Sequence, residues 1–187
     1  MKEIRTVFLV LLVFSLLLGV AYPLLVTGIG QLAFSWRANG SLALSGGRVV
    51  GSELLGQAFS SPRYFHGRPS ASDYDAMASG ASNLGPSNPA LVLATRDNVE
   101  RIRLENGLSS GTPIPADLVL ASGSGLDPEI SLDGALLQVE RIAGARGFDV
   151  TTVRNLVEEM AVGPFLGAFG EHRVNVLRLN LALDELP

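Results

Sequence analysis

The sequence predicts an α+β protein: one N-terminal transmembrane anchor helix, residues 1–36, followed by a single mixed α+β extracytoplasmic domain, residues 37–187. Two observations predict this fold class. The chain begins with a long apolar run that has no charges, and helix-like and strand-like patterns alternate after it. The part beyond the run, about 150 residues, is long enough for one compact domain with its own core.

The N-terminal run is long enough to cross a bilayer. Between Thr6 and Trp36 it has no Asp, Glu, Lys, Arg or His. As a helix with a rise of about 1.5 Å per residue it reaches roughly 45 Å, whereas the hydrocarbon core is about 30 Å thick. The alternative is a cleaved secretory signal, because Lys2 and Arg5 form a basic start and residues 19–21 resemble a cleavage site. The apolar sequence continues past that site, which favours an uncleaved anchor.

The basic residues on either side of the run predict its orientation. Lys2 and Arg5 lie close together before it, whereas Arg37 and Arg48 lie further apart after it. Cytoplasmic flanks of membrane helices have the excess of Lys and Arg. We therefore expect a single-pass protein of the cell (inner) membrane, with its N-terminus in the cytoplasm and its C-terminal domain outside.

One face of the predicted helix has small or polar side chains. They recur every four residues and form a packing face, which we call the small-residue stripe: Ser15, Gly19, Pro23, Thr27 and Gln31. Helices in lipid associate through close backbone approach and small polar contacts, so the stripe predicts a contact with another membrane helix. Pro23 lacks an N–H and is expected to kink the helix.

Composition excludes several classes of function. Of the 14 basic and 18 acidic residues, two basic ones and one acidic one precede the run, so the domain has five more acidic than basic side chains. No basic patch remains for a phosphate backbone, and we expect no nucleic-acid partner. Lys2 is the only lysine, which excludes lysine nucleophiles and phosphate-loop lysines from the domain. With no cysteine, disulfides, thiol catalysis and cysteine–metal sites are also excluded.

The domain is predicted to mix helices, one long strand and shaped loops. In order, the expected elements are a short strand and a turn of helix within Gly47–Phe59, a structured surface loop over residues 60–89, a helix capped by Asn88 and ended by Gly107, a helix capped by Ser131 and ended by Gly147, a helix from Asp149 or Thr151 to Gly163-Pro164, and a final strand over Arg173–Leu183. The apolar alternation of the last run shifts phase after Val176, which indicates a bulge or burial on both faces.

Few residues in the domain indicate catalysis. Only His66 and His172 offer a general base, and the loop around Ser122 lacks the first glycine of a nucleophile elbow. Asp73 and Asp75 form a carboxylate pair or part of a cation site, or they are solvated side chains that cap a turn. We expect neither a catalytic residue nor a metal site in this chain. The rival interpretation is an anchored hydrolase or glycan-binding module that uses Tyr64, His66, Arg68, Asp73 and Asp75.

Several polar segments with demanding turn chemistry follow the anchor in a fixed order. They are Gly51–Phe59, Tyr64–Ser70, Ser82–Pro89, Pro115–Pro128 and Val174–Leu181, in addition to Tyr22-Pro23-Leu24 in the anchor. Together they resemble the C subunit of the Kdp potassium-transporting P-type ATPase, the KdpC family, over essentially the whole chain. Five ordered motifs make this resemblance specific.

The resemblance implies a non-catalytic accessory subunit of a high-affinity, ATP-driven potassium uptake complex. Its partners would be a potassium-translocating membrane subunit, the P-type ATPase catalytic subunit and the lipid bilayer. The family has been assigned a chaperone-like role in ATP binding, with Gln138 as the matching glutamine, and ATP would be the only cofactor, reached through the partner subunit. An extracytoplasmic Gln138 cannot meet cytoplasmic ATP, however, so the predicted topology argues against a nucleotide site in this chain. The candidate partner-contact residues in the loops are Tyr64, Phe65, His66, Arg68, Ser82, Asn83, Ser122, Ser124 and Asp127.

Overall fold

The computed structural model describes residues 2–187. It divides the chain into two compact units, one ending at Leu42 and one spanning Ala43–Pro187. Within the first unit the helical segments are α1 (Lys2–Leu16), a π-helical turn (Leu17–Ala21), α2 (Tyr22–Ala33) and the short α3 (Ser35–Ala38).

The first unit contains one helix that is long and apolar enough to cross a membrane. This helix runs from Lys2 to Ala33, and its most apolar stretch has a mean hydropathy of 2.6. None of its side chains is buried within the chain. A fully exposed apolar surface of this length is stable in lipid and not in water, so this helix is a candidate membrane span.

The helix is not α-helical throughout. In the π-helical turn the Tyr22 N–H donates to the Leu17 carbonyl, five residues back. Pro23 follows directly, and its ring in a regular α-helix would press on the carbonyl four residues earlier while offering no N–H. The structure thus places a wider turn where the sequence predicts a disturbance by Pro23.

The remaining elements form the α+β part of the fold. They are β1 (Leu42–Ser45), β2 (Arg48–Ser52), α4 (Pro89–Asn106), α5 (Ala116–Val119), β3 (Glu129–Ser131), α6 (Leu132–Leu137), α7 (Val139–Arg146), α8 (Val150–Met160), β4 (Arg173–Asn175) and α9 (Val176–Asp184). The strands form two separate two-stranded sheets, β1–β2 and β3–β4. The second is antiparallel, with Ile130 opposite Val174.

The predicted helix caps are confirmed. Asn88 accepts a hydrogen bond from the Ala90 N–H (2.9 Å) at the start of α4, and Gly107 ends that helix with a left-handed φ of 62°. Ser131 accepts from the Gly134 N–H (3.0 Å) at the start of α6. Each side chain satisfies a donor that the first helical turn leaves free.

Three predictions about the elements are corrected. The region between Ser131 and Gly147 is two helices, α6 and α7, which meet at Gln138. After β2 the chain makes a hydrogen-bonded turn, in which the Leu55 N–H donates to the Ser52 carbonyl (3.2 Å), and not a turn of helix. The helix over α8 ends at Met160, before the predicted stop.

The prediction of a long C-terminal strand is wrong. Only β4 is extended, and the Asn175 side chain then accepts from the Arg178 N–H (3.0 Å) and caps α9. The phase shift near Val176 therefore marks a change of period from 2 to 3.6 residues, not a bulge. Both faces of the run are apolar because a short strand and then a helix are buried in the same core.

The core lies among the C-terminal helices, the β3–β4 sheet and α4. Fully buried side chains include Phe65, Ile130, Ala135, Val139, Ile142, Val153, Val157, Val174, Leu179 and Leu183. Phe65 stands apart in this set because it comes from the long loop between β2 and α4. The predicted structured loop over residues 60–89 thus contributes a core side chain although it has no helix or strand.

Candidate functional site

The loop residues around Phe65 are held by side chains from distant helices. We call residues 61–68 the pinned segment. The Asn180 side chain in α9 accepts from the Phe65 N–H (2.8 Å) and donates to the Phe65 carbonyl (3.0 Å). Asn180 is 2% exposed. One buried amide thus satisfies both backbone groups of a residue 115 positions away.

A second amide holds the next residue in the same way. Gln138, at the junction of α6 and α7, accepts from the His66 N–H (2.8 Å) and donates to the His66 carbonyl (3.1 Å). It also donates to the Gly134 carbonyl (3.1 Å) and accepts from an Arg141 Nη (2.7 Å). The side chain is 2% exposed, and its two donors and its acceptor oxygen are all in use.

Together the two amides supply the backbone hydrogen bonds that a neighbouring strand would otherwise make with Phe65 and His66. The N–H and C=O of one residue point to the same side of an extended backbone, and those of the next residue point to the other side. Asn180 and Gln138 thus satisfy the backbone groups of two consecutive residues, a role that neighbouring strands have in a sheet. The pinned segment is fixed without any backbone ladder.

Two arginines bind three further carbonyls of the pinned segment. Arg141 donates to the Pro62 carbonyl (2.6 Å) and the Tyr64 carbonyl (3.0 Å). Arg146 donates to the Arg63 carbonyl (2.8 Å) and to Asp184 (2.6 Å). The Arg146 guanidinium also lies 4.8 Å from the centre of the Tyr64 ring, and this cation–π contact adds to the hydrogen bonds.

His66 is engaged through both ring nitrogens. Nε2 lies 3.0 Å from the Ser61 carbonyl, and Nδ1 lies 3.4 Å from a Glu105 carboxylate oxygen. Burial lowers the pKa of the His66 imidazole, and the charge of Arg141 acts in the same direction. The Ser61 carbonyl and Glu105 oppose that shift but do not overcome it. Neither contact is with a serine hydroxyl, so the geometry gives a hydrolase centred on His66 no support.

The space beside Gln138 is too small for a nucleotide. The cavity there measures about 10 Å³ and is lined by His66, Arg101, Glu105 and Gln138, among others. A volume of about that size holds at most one water molecule. Because the Gln138 amide is also fully hydrogen-bonded, a nucleotide could contact it only after the pinned segment had been displaced.

The loop over residues 69–80 lies against the loop over residues 122–125. The Ser70 hydroxyl donates to the Gly125 carbonyl (2.6 Å), and the Ser124 carbonyl accepts from the Gly80 N–H (2.8 Å). Ser122 is 3% exposed, and its N–H donates to the Pro69 carbonyl (3.3 Å). These contacts connect the polar segment Tyr64–Ser70 with the polar segment Pro115–Pro128.

Two predicted contact residues lie apart from this network. Ser82 is exposed, and its hydroxyl accepts a long local hydrogen bond from the Leu84 N–H (3.5 Å). Asn83 is exposed and has a left-handed φ of 53°. The structure therefore brings Tyr64, His66, Arg68, Ser122, Ser124 and Asp127 into one connected region and leaves Ser82 and Asn83 on the surface.

A cleft of about 560 Å³ with several charged residues in its walls lies beside Arg68 and Asp127. Most charges on its walls are paired: Arg68 with Asp127 (3.0 Å), and Glu129 with Arg173 (2.8 Å). Asp117 accepts from the Ser131 N–H (2.6 Å). In the part of the chain from residue 2 onward, no three histidine or carboxylate side chains converge to hold a metal ion.

The Asp73–Asp75 pair forms local structure. Asp75 accepts from the Met77 N–H (2.8 Å), which closes a turn. Asp73 and Tyr74 have left-handed φ angles of 51° and 59°, a backbone conformation that aspartate tolerates well. The Tyr74 hydroxyl donates to the Arg68 carbonyl (2.7 Å), so this turn also supports the pinned segment.

The small-residue stripe lies on the exposed surface of the anchor helix. In a regular α-helix an i, i+4 series advances by about 40° at each step, which would place Gln31 about 160° around the axis from Ser15. A π-helical turn contains one extra residue and so sets the later residues back by about 100°. The π-helical turn at Leu17–Ala21 therefore brings the stripe within about 60° of one line.

Sequence reasoning missed three residues that organise this region: Asn180, Arg141 and Arg146. Asn180 interrupts the apolar run after β4, and a polar amide in the middle of a buried segment is a signal that a partner exists. The arginines have no such signal, because their partners are backbone carbonyls of a distant loop. Gln138 was reached only through the resemblance.

The described residues thus combine one candidate membrane-spanning helix with a small α+β domain, the arrangement of a membrane-associated subunit. The sequence model of the family described as "KdpC: K+-transporting ATPase, c chain" matches residues 4–185. The chain is 51% identical over 186 residues to the potassium-transporting ATPase KdpC subunit of Nitratidesulfovibrio vulgaris, covering 98% of this chain and 94% of that one. It is 48% identical over 187 residues to the subunit of the same name from Mycobacterium bovis, covering 99% of each. The chain therefore belongs to the KdpC family, and the resemblance found in the sequence is confirmed.

Proposed function

We propose that this chain is the non-catalytic accessory subunit of an ATP-driven potassium uptake complex. In this proposal it holds together a potassium-translocating membrane subunit and an ATP-hydrolysing subunit. The observation that carries the proposal is the small-residue stripe, which the π-helical turn aligns along one side of the N-terminal helix. The chain with this helix belongs to the KdpC family. Its relatives are named as subunits of potassium-transporting ATPases.

The stripe supports a helix–helix contact inside the bilayer. Apolar side chains gain little by leaving lipid for a protein surface, so membrane helices associate where small residues let backbones approach and polar groups pair. Gly19 has no atom of the chain within 4 Å of the position of a Cβ, so its surface is open. Gln31 is already paired with Asn39 (3.1 Å and 3.3 Å), which leaves Ser15, Gly19 and Thr27 for a partner.

The domain is proposed to lie outside the cytoplasm and to cap the pore entrance of the ion-conducting subunit. The basic residues Lys2 and Arg5 before the helix support this orientation. A domain with an excess of acidic side chains raises the local K⁺ concentration, although salt limits the effect to about 8 Å from each charge. The cap would therefore act only on ions already close to the entrance.

We further propose that any effect of this subunit on ATP affinity is indirect. The Gln138 amide is fully hydrogen-bonded inside the chain, next to a cavity of only about 10 Å³. An extracytoplasmic domain is also separated from cytoplasmic ATP by the bilayer. Assembly of the complex through the anchor is then the step by which the subunit supports the ATP-hydrolysing partner.

The test replaces Gly19 by leucine in the complex. Gly19→Leu puts a bulky side chain into the stripe and should dissociate the complex in detergent, with loss of potassium-stimulated ATPase activity. Gly28→Leu is the matched control, because Gly28 is also open but lies beside the stripe and not on it. If Gly19→Leu co-purifies with full potassium-stimulated activity, the packing role of the stripe is wrong.

A further inference from the structure

A turn near the end of α8 presents a cluster of apolar side chains to solvent. We call residues 162–170 the apolar turn. Phe165 is 68% exposed, Leu166 79% and Phe169 67%, and Val162 at its base is 45% exposed. The turn has no charged side chain. Scattered apolar residues are normal on a protein surface, whereas two phenylalanines and a leucine in one turn mark an interaction site.

The apolar turn has a defined shape. The Phe165 N–H donates to the Phe169 carbonyl (2.8 Å), and the Phe169 N–H donates back to the Phe165 carbonyl (3.0 Å). At its base Val162 and Arg173 exchange two backbone hydrogen bonds (2.8 Å and 3.0 Å). The backbone is therefore fixed in advance, and binding through this turn loses little conformational entropy.

Leu166 at the tip has a conformation that the fold alone does not favour. Its φ is +52°, in the left-handed region, where a bulky side chain is a rare outlier. No burial compensates for this conformation, since Leu166 is more exposed than Val162, Phe165 and Phe169. Glycine would occupy this position without strain. A strained residue that is also exposed points to a role outside the folding of this chain.

The charges around the apolar turn indicate what covers it. Glu158 and Glu159 precede it and Glu171 follows it, and all three are exposed. Arg173 at the base of the turn is paired with Glu129 (2.8 Å), which neutralises its charge. Bilayers with anionic lipids attract basic segments and repel acidic ones, so the surroundings disfavour insertion into lipid. The same carboxylates complement a rim of lysine and arginine on a protein surface.

We propose that the apolar turn is the docking element of the domain. Phe165, Leu166 and Phe169 would enter an apolar pocket, rimmed by basic side chains, on an extracytoplasmic surface of another subunit of the same ATPase. This inference rests on the proposed function, because it needs a complex and an extracytoplasmic domain. It adds a second contact, remote in sequence from the small-residue stripe and independent of it. Aromatic anchors in a pocket commonly carry most of the affinity of such contacts.

The decisive variant is Leu166→Gly in the full-length chain, expressed with the other subunits. It removes the tip side chain and also relieves the left-handed φ, so it should keep or raise the melting temperature while retention of the chain in the purified complex falls at least tenfold. Phe165→Ser combined with Phe169→Ser should lower retention as far. Met77→Gly is the control, since Met77 is 94% exposed on a different loop, and it should be retained like the wild type.

Two outcomes would overturn the proposal. One is normal retention of the Leu166→Gly chain in the purified complex under conditions in which the wild-type chain assembles. If the wild-type chain itself does not assemble with the other subunits, the proposed function is refuted instead. The other uses Phe165→Trp in a Trp36→Phe background, where it is the only tryptophan, in vesicles of brominated phosphatidylcholine. Quenching of this tryptophan by the brominated lipid in the absence of other subunits would show that the bilayer covers the turn. Quenching by aqueous iodide in the vesicles, and protection from iodide only in the assembled complex, would support the proposal.

Discussion

The Gln138 side chain pairs with both backbone groups of His66, with Oε1 2.8 Å from its N and Nε2 3.1 Å from its O. This relationship gives Gln138 a structural role that needs no ligand. Gln138 is also the residue at which α6 and α7 meet. A glutamine that the family resemblance connects with ATP is thus, in this chain, a clamp for the pinned segment.

Replacing this glutamine should destabilise the domain. Gln138→Ala leaves the part-buried N–H and C=O of His66 without their side-chain partner, and a group that stays shielded from water then costs up to about 1–3 kcal/mol. We expect a lower melting temperature for the detergent-solubilised chain, and the same ATP dependence of the complex wherever the variant still assembles. Unchanged stability together with a weaker apparent ATP affinity would show that Gln138 acts on nucleotide instead.

The stability of the chain should fall in mild acid because of His66. Burial lowers the pKa of this imidazole below its ordinary value of 6.5, so the unfolded state binds a proton at a higher pH than the folded state does. Stability is therefore lost as the pH falls from about 6.5 towards the lower folded value. His66→Asn should show a shallower decline in melting temperature over that window. Equal slopes for the two proteins would contradict the assignment.

Gly125 should tolerate no side chain. Its φ is +69°, and a Cβ would lie 2.9 Å from the Gly80 carbonyl oxygen and close to the Ser72 hydroxyl. Gly125→Ala should therefore lower the unfolding free energy by more than the roughly 1 kcal/mol expected from a left-handed φ alone. Gly107→Ala is the matched comparison, because Gly107 has a φ of +62° and open space. Chemical denaturation of both variants measures the difference, and equal losses would refute the close approach of the two loops.

The orientation of the chain can be read by thiol labelling, because the protein has no cysteine of its own. Met77→Cys places a thiol on a side chain that is 94% exposed. A membrane-impermeant maleimide should label it in intact cells whose outer layers are permeable to the reagent. Lys2→Cys should react only after the inner membrane is opened. The reverse pattern would place the domain in the cytoplasm and restore a direct route to ATP.

Pro23 should matter for assembly more than for the stability of the helix. Pro23→Ala supplies the missing N–H and removes the ring, which lets the π-helical turn become α-helical. The later half of the stripe, with Thr27 and Gln31, would then rotate by about 100° relative to Ser15. We expect weaker retention in the complex although alanine is the better helix former. Normal retention would mean that the alignment of the stripe is unimportant.

Local features of the sequence predicted the long apolar helix and three of the six helix starts in the domain, those of α4, α6 and α8. Asn88, Ser131 and Asp149 are caps that accept hydrogen bonds from N–H groups at most three residues away. A short stretch of sequence therefore contains both partners of each cap. The change from strand to helix at Asn175 also has a local cause, the cap that its side chain makes with the Arg178 N–H. The apolar alternation around it nevertheless predicts a strand. An asparagine followed by a shift in apolar phase is better understood as a helix start.

The site depended on contacts that no sequence window contains. The Phe65–Asn180 contact joins residues 115 positions apart, and the Arg146–Arg63 contact joins residues 83 positions apart. Their donors and acceptors are mostly backbone groups, which have no residue type to recognise. The family resemblance named Gln138, and the structure explains it through a partner, the His66 backbone, that the sequence does not reveal.

The amide clamp on Phe65 sets an order of events during synthesis. Asn180 lies in α9, so the backbone of Phe65 has no partner until that helix has been made and, in the proposed topology, exported. Until then a large aromatic side chain and a loop without secondary structure stay open to water and to proteases. Contacts of this length slow folding. The pinned segment is thus open to proteolysis in the nascent chain, and it is fixed by side-chain hydrogen bonds only after α9 has been made and has packed against it.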